Sequence, residues 1–245
     1  EIPSAMPPGR MSWRTPLLVI LAGCAVSLIT FGPRSAMGLF MQPISETNGW
    51  GRDVFALAFA VQNLLWGVGQ PIAGAVADRF GTLRVLCGGA LLYAIGLVLM
   101  TYSTTPLTLN ITVGVIVGFG LSGCSFNLVV AALGKLVPEH MRSLAFGAGT
   151  AAGSFGQFLF APLGAFLIQS YGWSIALIAF AAAVMLVLPF SLLLATRPVN
   201  AKAATGAEAP QSLKHALSEA FAHRSYVLLV LGFFTCGFQL AYITV

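Results

Sequence analysis

The sequence has 245 residues, of which 58% are hydrophobic and only 8% are charged, and its mean hydropathy is +0.89. Soluble domains carry roughly a quarter charged residues, so this composition excludes a soluble domain and indicates an all-α polytopic membrane protein whose main partner is the lipid bilayer. The net charge of +5 is therefore a topology signal, and it does not indicate a nucleic-acid partner.

Six apolar segments are each long enough to cross a bilayer as a helix, which takes about 20 mostly apolar residues. A seventh begins at Tyr226 and is still apolar at Val245, so residues 226–245 are expected to form an incomplete seventh span. Short connections rich in glycine, proline and polar residues separate the segments. The six predicted spans, which make up a transmembrane bundle over residues 15–196, are 15–43, 54–76, 84–103, 106–134, 143–169 and 173–196.

Two polar segments flank this bundle, residues 1–14 before it and residues 197–225 after it. In "SLKHALSEAFAHR" the apolar residues Leu213, Leu217 and Phe221 recur every four residues, which predicts a short amphipathic helix. A helix lying on the cytoplasmic membrane face and an ordinary solvated linker helix both fit this pattern.

The lysines and arginines are distributed unevenly between the two sides of the predicted bundle. Of the 12 Lys and Arg residues, Arg34 lies within a span and Arg52 lies in the alternate loops, which leaves ten on one side. Because cytoplasmic loops carry the excess of basic residues, we expect residues 1–14 and 197–225 to be cytoplasmic.

An internal repeat relates the second and fifth spans. "PIAGAVADRFG" (71–81) closes the second span and "PLGAFLIQSYG" (162–172) closes the fifth, with the same spacing from proline to final glycine. The first motif ends on the basic side and the second on the opposite side. This arrangement predicts two inverted repeats of three helices each, which is a common plan of transporters.

No pattern in the sequence indicates an enzyme, a cofactor or a metal site. The four cysteines lie far apart in apolar spans, and the three histidines fall in polar loops. The spans contain no cluster of His, Cys, Asp and Glu, and no phosphate-binding glycine loop precedes a soluble helix. ATP-driven transport is therefore not expected.

The segment "GAVADRFGTLR" (74–84) joins the second and third predicted spans. It resembles the signature loop of the major facilitator superfamily, G-x-x-x-D-R-x-G followed by basic residues, although Thr82 and Leu83 stand where basic residues are usual. The resemblance implies the six-helix N-terminal half of a twelve-helix transporter, with the C-terminal half missing from this sequence. The residues of the implied gating loop are Gly74, Asp78, Arg79, Gly81 and Arg84. We expect Gly74 to permit close helix approach, Gly81 to form a tight turn, and Asp78 to accept hydrogen bonds from a helix N-terminus or an arginine of the other half.

Arg34 is the one charged residue of the first predicted span. A guanidinium at membrane depth costs several kcal/mol unless a partner or water reaches it, and its planar fork of donors suits a carboxylate. The segment Pro33-Arg34-Ser35 resembles helix 1 of the monocarboxylate porters of this superfamily, where a proline-lysine-serine carries the substrate-binding cation. Two alternatives stay open, in which Arg34 extends to the outer membrane surface or pairs with a residue of the missing half.

Three further polar residues are candidates for substrate contact. Helices 1, 4 and 7 line the cavity in the superfamily, which implicates Asn127 and Gln239, and Gln157 is a polar residue of the fifth span. For each of them a hydrogen bond between helices is the alternative.

These observations predict a secondary active transporter of small organic anions, specifically monocarboxylates, that works by alternating access and is proton-coupled. It is expected in the plasma membrane, as in a bacterial inner membrane, with a cytoplasmic N-terminus. The alternatives are a major facilitator carrier of another metabolite or a drug, and a non-transporting scaffold or receptor-like subunit. The fragment alone is not expected to transport.

Overall fold

The computed structural model describes residues 15–196 and 213–244, and within these ranges the chain is helical apart from short turns. The predicted N-terminal segment 1–14 and residues 197–212 of the predicted linker lie outside the described residues. The described helices are α1 (Pro16–Asn48), α2 (Arg52–Phe80), α3 (Thr82–Met100), α4 (Pro106–Leu136), α5 (Glu139–Tyr171), α6 (Trp173–Leu193), α7 (Leu213–Ala222) and α8 (Arg224–Thr244).

Five of the described helices, α1, α3, α4, α5 and α6, are long and apolar enough to cross a membrane. The second predicted span forms α2, which has 29 residues but carries three amide side chains, Gln62, Asn63 and Gln70, along its length. The predicted all-α polytopic fold is confirmed.

The first span is longer than predicted, because α1 continues past residue 43 to Asn48. A single 3₁₀ turn, Met37–Phe40, interrupts it after the α-helical part that contains Pro33. Its last turns are polar, and hydrogen bonds within the helix, such as the one from Gln42 to Glu46, stabilise them. A prediction from hydropathy alone therefore places the end of this helix too early.

α4 is the least regular helix of the bundle. It contains a π-helical segment, Asn110–Ile116, and it is broken at Cys124 and Ser125, where Ser125 is extended. The helix resumes as Phe126–Leu136. The first N–H groups of that segment have no acceptor within the helix, as at any helix N-terminus.

The packing of the bundle follows the predicted repeat. If α1, α2 and α3 correspond to α4, α5 and α6, a two-fold axis should pair the α1–α5 contact with an α4–α2 contact, and the α3–α4 contact with an α6–α1 contact. All four contacts are present, and α3 and α6, which would lie across the axis, also pack against each other. The bundle therefore has the arrangement expected of 3+3 inverted repeats.

The two repeat motifs end in the same backbone conformation. Gly81 follows α2 with φ 91° and ψ 148°, and Gly172 follows α5 with φ 86° and ψ 160°. Each glycine donates its N–H to the carbonyl four residues earlier and lies directly before the next helix. This region of the backbone map is essentially restricted to glycine, which confirms the tight turn predicted at Gly81.

Glycines also allow the closest helix contacts. A Cβ atom at Gly156 of α5 would collide with the backbone of Leu28 in α1, and one at Gly120 of α4 would collide with the backbone of Tyr93 in α3. Small residues have this role in membranes because no hydrophobic drive brings helices together there. No helix of the described chain makes the close approach predicted at Gly74, since a Cβ atom there would meet nothing within 4 Å.

The predicted short helix after the bundle corresponds to α7, and the seventh span corresponds to α8, which begins two residues earlier than predicted, at Arg224. The ring of Phe221 in α7 packs edge-to-face on Tyr226 in α8. Large apolar side chains of α8, among them Leu228, Phe233 and Phe234, are exposed in the described chain.

The shared conformation of the two turns gives a test of the repeat. Gly81→Ala and Gly172→Ala should each lower the free energy of unfolding by about 1–3 kcal/mol, because alanine is strained in this region. Thermal melting of the purified full-length protein in detergent measures the change.

Gly88→Ala is the matched control, because Gly88 lies inside α3 with open space at its Cβ position. Alanine there should leave stability unchanged or raise it slightly. A Gly81→Ala variant as stable as Gly88→Ala would contradict the role given to the turn.

Candidate substrate-binding site

Arg34 lies deep in the bundle. Counted along α1 at about 1.5 Å per residue, it is roughly 27 Å from Pro16 and roughly 21 Å from Asn48. The side chain is only partly exposed. Because α1 extends further than predicted, Arg34 is closer to the middle of the helix than to either end, which weakens the alternative that it reaches the outer surface.

Asn63 of α2 is the hydrogen-bond partner of Arg34. The Arg34 Nη2 group donates to Asn63 Oδ1 at 2.9 Å, while Asn63 Nδ2 donates to the Phe59 carbonyl oxygen at 3.0 Å. These two bonds use the amide in one orientation, since a flipped amide would place a donor against the guanidinium and an acceptor against the carbonyl. Asn63 therefore presents a fixed acceptor to Arg34.

Trp66, one helical turn after Asn63, covers the guanidinium. The Arg34 Cζ atom lies 4.4 Å from the centroid of the Trp66 ring, which is within the range of a cation–π interaction. The Trp66 backbone is tied to α4, because Ser122 Oγ lies 3.1 Å from the Trp66 carbonyl oxygen, one of three carbonyls within its reach. A third helix, α4, thus contacts α2 at the residue whose ring covers Arg34.

The positive charge of Arg34 has no acidic partner among the described residues. The two ion pairs found there, Lys135–Asp78 and Arg142–Glu139, involve other residues. A buried donor beside Arg34 also lacks an acceptor in the described chain: the indole Nε1 of Trp66, whose ring lies against the guanidinium. It adds to the N–H groups of Arg34 that have no acceptor there. An anion is the ligand that such a set of donors would bind.

Asn127 makes a hydrogen bond between helices, which was the alternative to a substrate contact. Its Nδ2 atom donates to Gln70 Oε1 of α2. It is the second residue after the break in α4, so it lies at the positive end of the Phe126–Leu136 segment. No contact brings it to Arg34 in the described chain.

No hydrogen bond joins Gln157 or Gln239 to Arg34 in the described chain. Gln239 is exposed on α8. Gln157 lines a small cavity of about 100 Å³ between α1, α4 and α5, whose other lining residues are Phe31, Phe126, Gly149, Thr150, Gly153 and Ser154. Of the four predicted substrate residues, Arg34 is therefore the one held by a cluster of polar and aromatic side chains.

Sequence reasoning did not assign Asn63 and Trp66 to this site. They are three residues apart, so they lie on one face of α2, and an amide next to a tryptophan within a span was the available signal. Their partner could not be identified, because the register of α2 against α1 is set by tertiary packing.

Among the described residues, an ion pair joins the predicted gating loop to α4. Asp78 accepts from Lys135 Nζ at the end of α4, with N and O 2.8 Å apart. The Arg79 guanidinium lies 5.4 Å from the centroid of the Phe80 ring. Arg84 is exposed at the edge of an apolar groove between α2, α3 and α4. The described partner of Asp78 thus belongs to the same bundle, and it is a lysine where an arginine or a helix end was expected.

Comparison with known proteins now identifies the family. A model of the Major Facilitator Superfamily matches residues 10–245, and the chain belongs to that superfamily of multi-pass membrane transporters. It is 27% identical to monocarboxylate transporter 13 of Rattus norvegicus over 176 residues, covering 70% of this chain and 39% of the relative. It is also 29% identical to monocarboxylate transporter 11 of Mus musculus over 202 residues, covering 78% of this chain and 42% of the relative.

Solved structures agree on the fold. The chain superposes on the POT family transporter PepTSo with a TM-score of 0.62 at 16% identity, covering 84% of this chain and 46% of that one. A POT peptide transporter in complex with sulfate gives a TM-score of 0.61 at 19% identity, covering 91% of this chain and 47% of that one. The chain spans less than half the length of these relatives and solved structures. The predicted resemblance to the N-terminal half of the superfamily is confirmed.

The ion pair between Asp78 and Lys135 should contribute little to stability. Both side chains are substantially exposed, at 64% and 46% respectively, so a double-mutant cycle of Asp78→Asn and Lys135→Gln should give a coupling free energy of about 0.2–1 kcal/mol. Thermal melting of the four proteins at low salt measures it.

Raising the salt concentration should reduce this coupling, because exposed charges are screened. A salt-independent coupling well above this range would mean that the pair is buried in the complete protein, against the other half.

Proposed function

We propose that this chain is the N-terminal half of a secondary active transporter of small monocarboxylates. The observation that carries the proposal is the Arg34 guanidinium, which lies deep in the bundle, is oriented by Asn63 and Trp66, and has no acidic partner in the described chain. A guanidinium binds a carboxylate through two parallel hydrogen bonds. The relatives named monocarboxylate transporters support the same class of substrate.

Transport proceeds by alternating access around a site near the middle of the membrane. In a fold built from repeats, one half rocks against the other around a fixed site, so transport requires a second helical bundle in addition to this one. The gating loop, Gly74 to Arg84, lies where the two halves would separate on the cytoplasmic side. Because α2 packs against α4 along its length, these two helices move together, and the exposed ion pair between Asp78 and Lys135 is one contact between them.

Coupling to protons cannot use Arg34 itself. A guanidinium keeps its proton under all physiological conditions, and the six predicted spans contain no acidic residue. The proton is carried either by the substrate or by a residue of the other half. The proposed location is the plasma membrane, as in a bacterial inner membrane, with a cytoplasmic N-terminus, which the positions of the basic loops favour.

Uptake of labelled lactate by the full-length protein in proteoliposomes tests this proposal. Arg34→Ala should lower uptake by about tenfold or more, since each hydrogen bond to a charged group contributes about 1.5–3 kcal/mol. Arg34→Lys should retain part of the activity, because it keeps the charge and loses the planar fork. An inward proton gradient should stimulate uptake. If it does not do so at any pH tested, the proposal of proton coupling is contradicted.

Arg52→Ala is the matched control, since it removes an arginine from the start of α2, outside the site. Its uptake should equal that of the wild type. Uptake unaffected by Arg34→Ala would exclude Arg34 as the anion-binding residue. A protein that takes up no acid while remaining folded would favour a carrier of another metabolite or a non-transporting scaffold.

A further inference from the structure

We propose that Asn63 and Trp66 of α2 are positioning residues that determine the affinity of Arg34 for its anion. This inference rests on the proposed function, because it concerns the same site. It assigns anion affinity to residues of α2, whereas the cation itself is on α1.

The first step is the flexibility of the arginine side chain. A free arginine loses about 2 kcal/mol of rotamer entropy when it is fixed. Here one guanidinium nitrogen is already bound by Asn63 and one face of the group lies against Trp66. The remaining N–H groups, which have no acceptor among the described residues, are thus held in a defined plane before the anion arrives. Preorganisation of this kind improves affinity by lowering the ordering cost of binding.

The second step is the charge of the partner. Asn63 is neutral, so it orients the guanidinium and leaves its charge uncompensated. An aspartate of the same size would accept the same hydrogen bond and neutralise the cation. The substrate carboxylate would then have to compete with a fixed carboxylate for the same donors. The neutral amide is therefore what makes an oriented cation available to an anion.

The third step is how Trp66 is held. Its backbone carbonyl lies within hydrogen-bond distance of Ser122 on α4, next to the break in that helix. Its indole N–H is buried without an acceptor in the described chain. A carboxylate bound at the guanidinium would bring an acceptor to this part of the site. The three helices α1, α2 and α4 thus meet at one anion-binding group.

The test is lactate uptake kinetics of the full-length protein carrying Asn63→Asp. We expect KM to rise by about tenfold or more with little change in kcat, because the aspartate competes with substrate binding. Asn110→Asp is the control. Asn110 Nδ2 of α4 donates to the carbonyl of Pro106, four residues earlier, as Asn63 Nδ2 donates to that of Phe59, and the substitution adds the same negative charge. Its KM should match the wild type.

Trp66 gives a second variant that does not add charge. Trp66→Phe keeps an aromatic face over the guanidinium and loses the indole N–H, so it should raise KM less than Trp66→Leu does. Trp66→Leu loses both and should raise KM by about fivefold or more. These two variants keep the inference testable if Asn63→Asp fails to fold, which melting in detergent would detect.

The outcomes separate this inference from the proposed function. If Arg34→Ala abolishes uptake and both Asn63→Asp and Trp66→Leu keep the wild-type KM, the positioning role is excluded and the anion site remains. If Arg34→Ala leaves uptake unchanged, the site itself is excluded, and the inference is excluded with it. An equal rise in KM in Asn110→Asp would attribute the effect to charge in general and would also overturn the inference.

Discussion

A guanidinium among apolar helices is the constraint on which the rest of the site depends. Its charge costs several kcal/mol in a membrane unless it is paired or hydrated, yet no acidic residue pairs with it in the described chain. The surrounding structure offers instead one amide oxygen and one aromatic face. Neither removes the charge, and both restrict where the group can point. The result is a cation that is oriented and available, which is the requirement for reversible binding of an anion.

The close packing of the bundle supports this arrangement. Glycines bring α1 against α5 and α3 against α4 at backbone distance, and the two repeat motifs end in matching glycine turns. Because α4 is also linked to α2 through Ser122 and through Gln70 and Asn127, the helices around Arg34 form a connected unit. A connected unit of this kind suits a transporter in which one half moves as a body against the other.

Much of the fold followed from the sequence, and the errors have local causes. The spans, the repeat and the turn at Gly81 were predictable because hydropathy, proline–glycine spacing and glycine stereochemistry act over short distances. The C-terminal end of α1 was not predictable, since polar residues near Glu46 continue the helix where hydropathy predicts a loop. The break at Ser125 was missed because it carries no proline. The close approach expected at Gly74 has no partner in the described chain, because the sequence does not show which helix faces a given glycine.

The site was predictable in part for the same reason. Arg34 could be found from its own segment, because a single charge in an apolar stretch is visible without knowing how the helices pack. Asn63 and Trp66 matter through their distance to Arg34, and that distance depends on the register between α1 and α2. Asn127 bonds to the neighbouring helix and Gln157 lines a small cavity. The sequence alone does not show which of these surroundings a polar residue has.

The most direct test of the central claim is equilibrium binding of lactate to the purified full-length protein, measured without transport. Calorimetry or ligand-induced stabilisation in detergent would compare the wild type with Arg34→Ala. The account predicts saturable binding to the wild type and its loss in the folded variant. Binding of equal affinity to both proteins would contradict the claim that Arg34 holds the anion.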